Sequence, residues 1–162
     1  MSFRRPDEVA IVVRRPGDGA VREYLVLLRS PAKLGYWHLV AGGVEWGEEP
    51  AAAAARELAE ETTLVVSVAS LPGPLAYALA GDPESVRSRF APGTEQVTVW
   101  PFLAEAPTGW EPTLDDEHVE RQAEHVAADL DVALLHHVEH RHLDALGEVG
   151  QRRPGDEDGR RS

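Results

Sequence analysis

The sequence predicts a single α/β domain, a mixed β-sheet sandwiched between helices. Three observations carry this expectation: several short β-rich segments, one strongly helical segment in their midst, and a glycine-rich loop that joins the two kinds of element. At 162 residues the chain is long enough to bury one hydrophobic core without disulfides or a structural metal. Its 43% hydrophobic and 27% charged residues are a globular balance, which excludes a collagen-like, wholly disordered or membrane-spanning chain.

Glu8 to Arg14 and Glu23 to Arg29 are β-rich, and Pro16-Gly17-Asp18-Gly19 between them supplies turn dihedrals, so strand, turn, strand is expected. Tyr36-Trp37-His38-Leu39-Val40 is a short apolar segment that ends in Gly42-Gly43, where backbone freedom replaces side chains. Pro50 suits the first position of a helix whose body is Ala51 to Ala55 followed by Arg56-Glu57-Leu58-Ala59-Glu60-Glu61, all strong helix formers. Leu64 to Val68 and Gln96 to Ala104 are expected to be strands, the second despite Pro101, with a loop over Gly81 to Gly93 between them. A further strand is expected near Val119 to Val126. Asp129 to His137 and Glu139 to Glu148 carry leucines at helical spacing and predict two helices. Residues 150–162 are charged and rich in Pro and Gly, which predicts a disordered tail and leaves the domain at residues 1–149.

Sixteen Lys and Arg against 28 Asp and Glu give a formal charge of -12, which disfavours a general nucleic-acid-binding face and suits a cation-binding protein. The chain has no cysteine, so disulfide frameworks, zinc thiolate sites and thiol nucleophiles are excluded, in keeping with a cytoplasmic location. The N-terminal apolar stretch from Val9 to Val13 is too short for a signal sequence, and no apolar run reaches the roughly 18 residues needed to span a bilayer.

The informative stretch is Gly42-Gly43-Val44-Glu45-Trp46-Gly47-Glu48, followed by the Arg56 to Glu61 segment. At about 100° per residue, Glu57, Glu60 and Glu61 fall within roughly 100° on one helix face. Like charges so placed destabilise a helix by a few tenths of a kcal/mol per pair unless a cation or base offsets them. Hard oxygen ligands on a rigid helix suit Mg²⁺ or Mn²⁺. The glycines allow the loop to bring Glu48 and backbone carbonyls back over the helix, and Arg56 is the natural counter-ion to hold Glu48. A Glu-rich helix alone is most often a solvated face; the loop spacing argues against that here.

The stretch from Gly42 to Leu64 resembles the Nudix box: a glycine, five residues, Glu, seven residues, then Arg-Glu-apolar-x-Glu-Glu-x-Gly-apolar. Gly42, Glu48, Arg56, Glu57, Leu58, Glu60, Glu61 and Leu64 stand at the matching positions, and Thr63 replaces the usual glycine. That glycine suits a left-handed helix end, a conformation that costs a β-branched residue roughly 1 kcal/mol or more. Val40-Ala41, and Glu117-His118 followed by Ala133-Leu134-Leu135, are similar to the dihydroneopterin triphosphate pyrophosphatase branch, although the aromatic residues usual after Glu-His are absent here.

The resemblance implies a Nudix-like α/β/α sandwich and hydrolysis of a nucleoside diphosphate linked to some moiety X, assisted by Mg²⁺ or Mn²⁺. Candidate substrates are nucleoside or pterin triphosphates, ADP-ribose, dinucleoside polyphosphates and nucleotide sugars. The metal ligands it implies are Glu57 and Glu61 foremost, Glu60 as shared ligand or base, the carbonyl of Ala41 as a further ligand, and Glu117 as ligand or general base. Arg56 and Glu48 are the implied positioning pair. The implied partner is a small phosphorylated molecule, neither a nucleic-acid polymer nor a membrane, and family analogy allows a homodimer. The alternative is a non-catalytic Nudix-like sensor of nucleotides, although such modules usually lose box carboxylates and this chain keeps all four.

Arg29 and Trp37 are the candidate substrate contacts, weighed against an exposed strand-end arginine and a core tryptophan. Lys33 is ambiguous in the same way as Arg29. Trp46 and Trp100 could likewise stack a base or close a core, and Trp110 could anchor a loop. His136 and His140, one helical turn apart, could bind Zn²⁺ or Ni²⁺, yet with no third ligand a wet helix face is favoured.

Overall fold

The computed structural model describes residues 2–19, 22–31 and 37–113 and the backbone of 118–126. In chain order the elements are β1 (Asp7–Pro16), β2 (Arg22–Arg29), β3 (Trp37–His38), β4 (Val40–Gly43), α1 (Pro50–Thr62), β5 (Val68–Ser70), β6 (Leu75–Ala78), α2 (Glu84–Arg87), β7 (Gln96–Glu105) and β8 (His118–Val126). A 3₁₀ turn over Leu79–Gly81 follows β6.

Among the described residues the strands form one mixed sheet organised around β1. β1 runs parallel to β7 along its whole matched length, from Asp7 opposite Thr98 to Arg14 opposite Glu105. On its other side it meets two antiparallel partners in succession: β4 against Glu8 to Ile11, and β2 against Arg14 to Pro16. β2 continues outward to pair with β3 and β8. Beyond β7, β5 and β6 take up separate stretches, opposite Phe102 to Ala104 and opposite Gln96 to Val99. Pro101 falls between those two stretches, a position in this strand that tolerates a missing ladder donor.

β1 is buried on both faces, which explains its nearly continuous apolar run. Its odd residues Val9, Ile11 and Val13 join Leu27, Val40, Phe102 and the helix residues Ala53, Ala54 and Leu58 in the main core. Ala10, on the opposite face, packs with Tyr77, Leu79, Phe90, Val97 and Val99, against which Val86 of α2 also rests. Helical structure therefore lies on both faces of the sheet. The small Ala53 and Ala54, both fully buried, let α1 lie close against β1 and β4. At the far end of β1, Arg15 forms ion pairs with Glu23 and Glu111 and donates to the carbonyl of Trp110. Trp110 itself packs against the main core as a loop anchor.

Two expectations need correction, and one strand was not anticipated. The strand expected over Leu64 to Val68 begins only at Val68, because Val68 already pairs with Ala104 and β7 ends one residue later. Residues 64–67 have no ladder partner; Leu64 instead turns into the core and Val65 points outward, 85% exposed. The interval Gly81 to Gly93 contains α2 and is not all loop. β6 was not legible, since Leu75-Ala76-Tyr77-Ala78 has little intrinsic strand preference and forms where the edge of β7 offers hydrogen bonds. The helices expected over 129–148, Lys33, the His136/His140 pair and the tail at 150–162 lie outside the described residues. Among the described residues no helix is long and apolar enough to cross a membrane.

α1 begins with Pro50 at its first position, and its end is set by Thr63 in the left-handed conformation, φ 63° and ψ 7°. The Thr63 amide donates to the Ala59 carbonyl at 2.9 Å, so the helix closes as a glycine would close it, with a β-branched residue in its place. Thr63→Gly is expected to stabilise the protein by about 1 kcal/mol, raising the thermal midpoint by about 2–4 °C, because relief of the left-handed strain outweighs the extra chain entropy of glycine. A lowered midpoint in calorimetry would contradict this.

Candidate functional site

The site is built where β4 passes into α1. Gly42 and Gly43 lie opposite Val9 and Glu8 of β1, and the Val44 amide donates to the Asp7 carbonyl at 2.9 Å, which fixes the start of the loop. Gly47, at φ 82°, makes the left-handed turn that a side chain would resist. The turn is held from within, because the Glu45 amide donates to Glu48 Oε2 at 2.9 Å and the Glu48 amide to the Glu45 carbonyl at 3.1 Å. It is also held from outside: Arg5 Nη1 donates to the Glu48 carbonyl at 2.8 Å while its Nε pairs with Asp7 at 2.7 Å. Asp7 accepts a second bond, from the Trp100 indole at 2.9 Å.

Arg56, at the middle of α1, is the hub. Its Nε and Nη2 donate to the two oxygens of Glu48, each at 3.0 Å, in the two-pronged geometry that suits guanidinium and carboxylate. Nη2 also donates to the Gly43 carbonyl at 2.9 Å, and Nη1 to Glu57 at 2.7 Å and Glu60 at 3.4 Å. These acceptors raise the Arg56 pKa further, Glu48 above all, so the guanidinium is permanently charged. In return Arg56, and after it the Glu45 amide, hold the Glu48 carboxyl below its ordinary value of 4.5.

A carboxylate whose pKa is depressed on folding contributes stability above its unfolded pKa and loses it as the pH falls through the depressed value. The midpoint of Glu48→Gln is therefore expected to lie below that of the parent at pH 7 and to converge on it as the pH falls through the depressed value. A gap of constant size in thermal melts from pH 7 to pH 3 would contradict the pairing.

The carboxylates of α1 sit in three different settings. Glu57 is largely buried and lies against Gly42; a methyl group on Gly42 would land on its carboxylate carbon and both oxygens. Burial pushes its pKa up, an effect that its bonds to Arg56 oppose. Glu61 is 6% exposed, and its Oε2 accepts from the Ala41 amide at 3.4 Å, across from the strand that carries the carbonyl of interest. Glu60 is the outermost, with 59% of its side chain exposed.

Glu57 and Glu61 thus lie on the flank of α1 that faces β4, beside Gly42 and Ala41, with Glu60 outward of them. Among the described residues no three acidic or histidine side chains are gathered tightly enough to hold an ion as they stand. The donor chemistry nevertheless fits a hard divalent cation: three carboxylates and a backbone carbonyl, with Glu61 buried, Glu57 half-buried, and among the described residues the Arg56 guanidinium shared in ion pairs by Glu48, Glu57 and Glu60.

Arg29 closes β2, opposite His118 of β8, and Trp37 pairs with Leu28 on β3; both are half-buried. Glu117 lies outside the described residues, although its neighbour His118 is the first residue of β8. Trp100 rests partly against the main core, whereas Trp46 is 67% exposed at the loop tip, its indole donating to the Phe3 carbonyl at 2.9 Å. Sequence reasoning missed Arg4, Arg5 and Asp7. Their only local signal was an Arg-Arg pair ahead of Pro6-Asp7, and what gives them a place is the pairing of β1 with β4.

The solved structures similar to this one include the dihydroneopterin triphosphate pyrophosphohydrolase of E. coli, 26% identical, covering 75% of this chain and 82% of that one at a TM-score of 0.59. A C. elegans Ap4A hydrolase in a binary complex is 22% identical, covering 80% and 83% of the two chains at a TM-score of 0.55. The NUDIX domain of Shewanella oneidensis NrtR, solved with ADP-ribose, shares the fold at 15% identity and a TM-score of 0.54, over 76% of this chain and 73% of that one. A segment of 63 residues, 39% of this chain, is 44% identical to part of a curated octanoyltransferase of Myxococcus xanthus, of whose length it spans 18%. The NUDIX domain model matches residues 4–146, which take in β1, the glycine loop, the acidic flank of α1 and β7. With sheet, loop and helix arranged around that matched sequence, the chain belongs to the NUDIX domain family of nucleotide pyrophosphohydrolases, whose members generally use a divalent metal.

Proposed function

We propose that this protein hydrolyses a pyrophosphate bond in a small nucleoside or pterin polyphosphate, with Mg²⁺ or Mn²⁺ as cofactor. The observation that carries this reading is the acidic flank of α1, held against β4 by the Arg56 hub with Glu57 seated on Gly42. Glu57, Glu60, Glu61 and the Ala41 carbonyl would hold the metal, with Glu117 as a further ligand or base. When bound, the metal neutralises phosphate oxygens and lowers the pKa of the attacking water. One of the four glutamates takes the proton from that water. Glu48 and Arg56 orient the others, and Arg29 and Trp37 are proposed to contact substrate. A triphosphate of dihydroneopterin is the first compound to try, given the similarity to the E. coli enzyme of that name. A cytoplasmic location and a homodimer belong to the same proposal.

The test is phosphate release from dihydroneopterin triphosphate and from ordinary and oxidised nucleoside triphosphates after added pyrophosphatase, and from ADP-ribose, dinucleoside polyphosphates and nucleotide sugars after added alkaline phosphatase, which acts on the phosphomonoesters that their cleavage exposes, each with Mg²⁺ and with Mn²⁺. Metal-dependent release from one class supports the reading and names the substrate. Silence across the panel with nucleotide binding retained would replace it with the sensor.

A further inference from the structure

Three arginines converge on the glycine loop, and two of them are spent on the protein. Arg56 donates to Glu48, Glu57, Glu60 and the Gly43 carbonyl, and Arg5 to Asp7 and the Glu48 carbonyl. Arg4 differs. Its backbone is pinned, with its amide donating to the Arg89 carbonyl at 2.8 Å and a bridge to Phe90. Its guanidinium lies directly on Gly43, where any side chain would displace it. It is exposed, and among the described residues it enters no side-chain hydrogen bond or ion pair. Its charge nonetheless reaches Glu57, whose ionised form it favours. A cation with free donors is therefore held at the rim of the carboxylate flank.

We propose that Arg4 is a phosphate-binding residue, its guanidinium seated on Gly43 so that it takes oxygens of the substrate's polyphosphate chain beside the carboxylate flank of α1. This rests on the hydrolase reading above. A polyphosphate approaching a chain of net charge -12 meets acidic groups first, and a guanidinium with free donors offsets that repulsion and makes charge-assisted bonds. Gly43 has a role distinct from that of Gly42: one makes room for Arg4, the other for Glu57.

The experiment measures binding of inorganic tripolyphosphate with Mg²⁺ by calorimetry, beside KM and kcat on the best compound of the panel, for the parent, Arg4→Ala, Arg4→Lys and Arg22→Ala. Arg22, at the opposite end of β1, controls for the loss of one positive charge. Arg4→Ala is expected to weaken tripolyphosphate binding about tenfold and to raise KM similarly with kcat within about twofold, Arg4→Lys to recover most of the binding, and Arg22→Ala to change neither. The thermal midpoint of Arg4→Ala should stay within about 2 °C of the parent, since an exposed side chain is removed. Equal tripolyphosphate affinity in parent and Arg4→Ala, equal losses in Arg4→Ala and Arg22→Ala, or no binding by the parent would each overturn the assignment. Arg4-dependent binding in a protein that hydrolyses nothing would leave the assignment standing and reject the hydrolase reading alone.

Discussion

Glu61→Gln is expected to lower turnover by a factor on the order of 10²–10³ while leaving the folded protein intact. Glu61 is 6% exposed and accepts from the Ala41 amide through Oε2, and the amide oxygen of Gln can take over that bond with almost no change of volume. What it cannot replace is the negative charge. A buried carboxylate in this position favours a divalent cation, and its neutral isostere favours none. The thermal midpoint of the variant without metal should therefore match the parent or exceed it slightly. Mg²⁺ should raise the midpoint of the parent, by the linkage of metal binding to folding, and raise that of the variant much less. Parallel melts and initial rates separate the two effects; turnover within tenfold of the parent would remove Glu61 from the site.

The second large effect is expected at a residue with no functional group. In Gly42→Ala the new methyl would occupy the place of the Glu57 carboxylate. The obstructed atoms are the end of a flexible side chain and not backbone, so the fold should tolerate the change, with a midpoint within about 3 °C of the parent. The carboxylate, however, has to leave the position where Arg56 Nη1 holds it at 2.7 Å. A displacement of about an ångström in a proposed metal ligand costs activity out of proportion to stability, here on the order of tenfold to 100-fold. Activity near the parent level in a folded Gly42→Ala protein would mean that the seat of Glu57 is not used. A large loss of stability would instead mean that the loop, and not the carboxylate, needs this glycine.

The helix and its acidic flank were legible in the sequence because both are local. Pro50, five alanines and a 3.6-residue period determine a helix whose one face carries Glu57, Glu60 and Glu61, whatever lies opposite it. Thr63 behaves as its position demands: the helix needs a left-handed end there, and the chain adopts it with a costly residue. The strand over Leu64 to Val68 misled for the complementary reason. Its β-branched residues express a preference, but a strand exists only where a neighbour offers hydrogen bonds, and β7 offers none before Val68. β6 formed against weak preference because β7 offered them.

Taken by itself, the sequence determined a Nudix-type glycine loop and helix, with Arg56 and Glu48 spaced to meet and three carboxylates on one flank, since each of these depends on neighbours within about two helical turns or on one short loop. Packing between distant parts of the chain sets which carboxylates are buried, what Glu57 rests on, and that Arg4 and Arg5 lie against the glycine loop, 43 positions separating Arg5 from the Glu48 carbonyl it holds. The physical reason is that burial and approach across the chain follow from the antiparallel pairing of β1 with β4, which brings Glu8 and Val9 opposite Gly43 and Gly42 and draws the N-terminal arginines along with them.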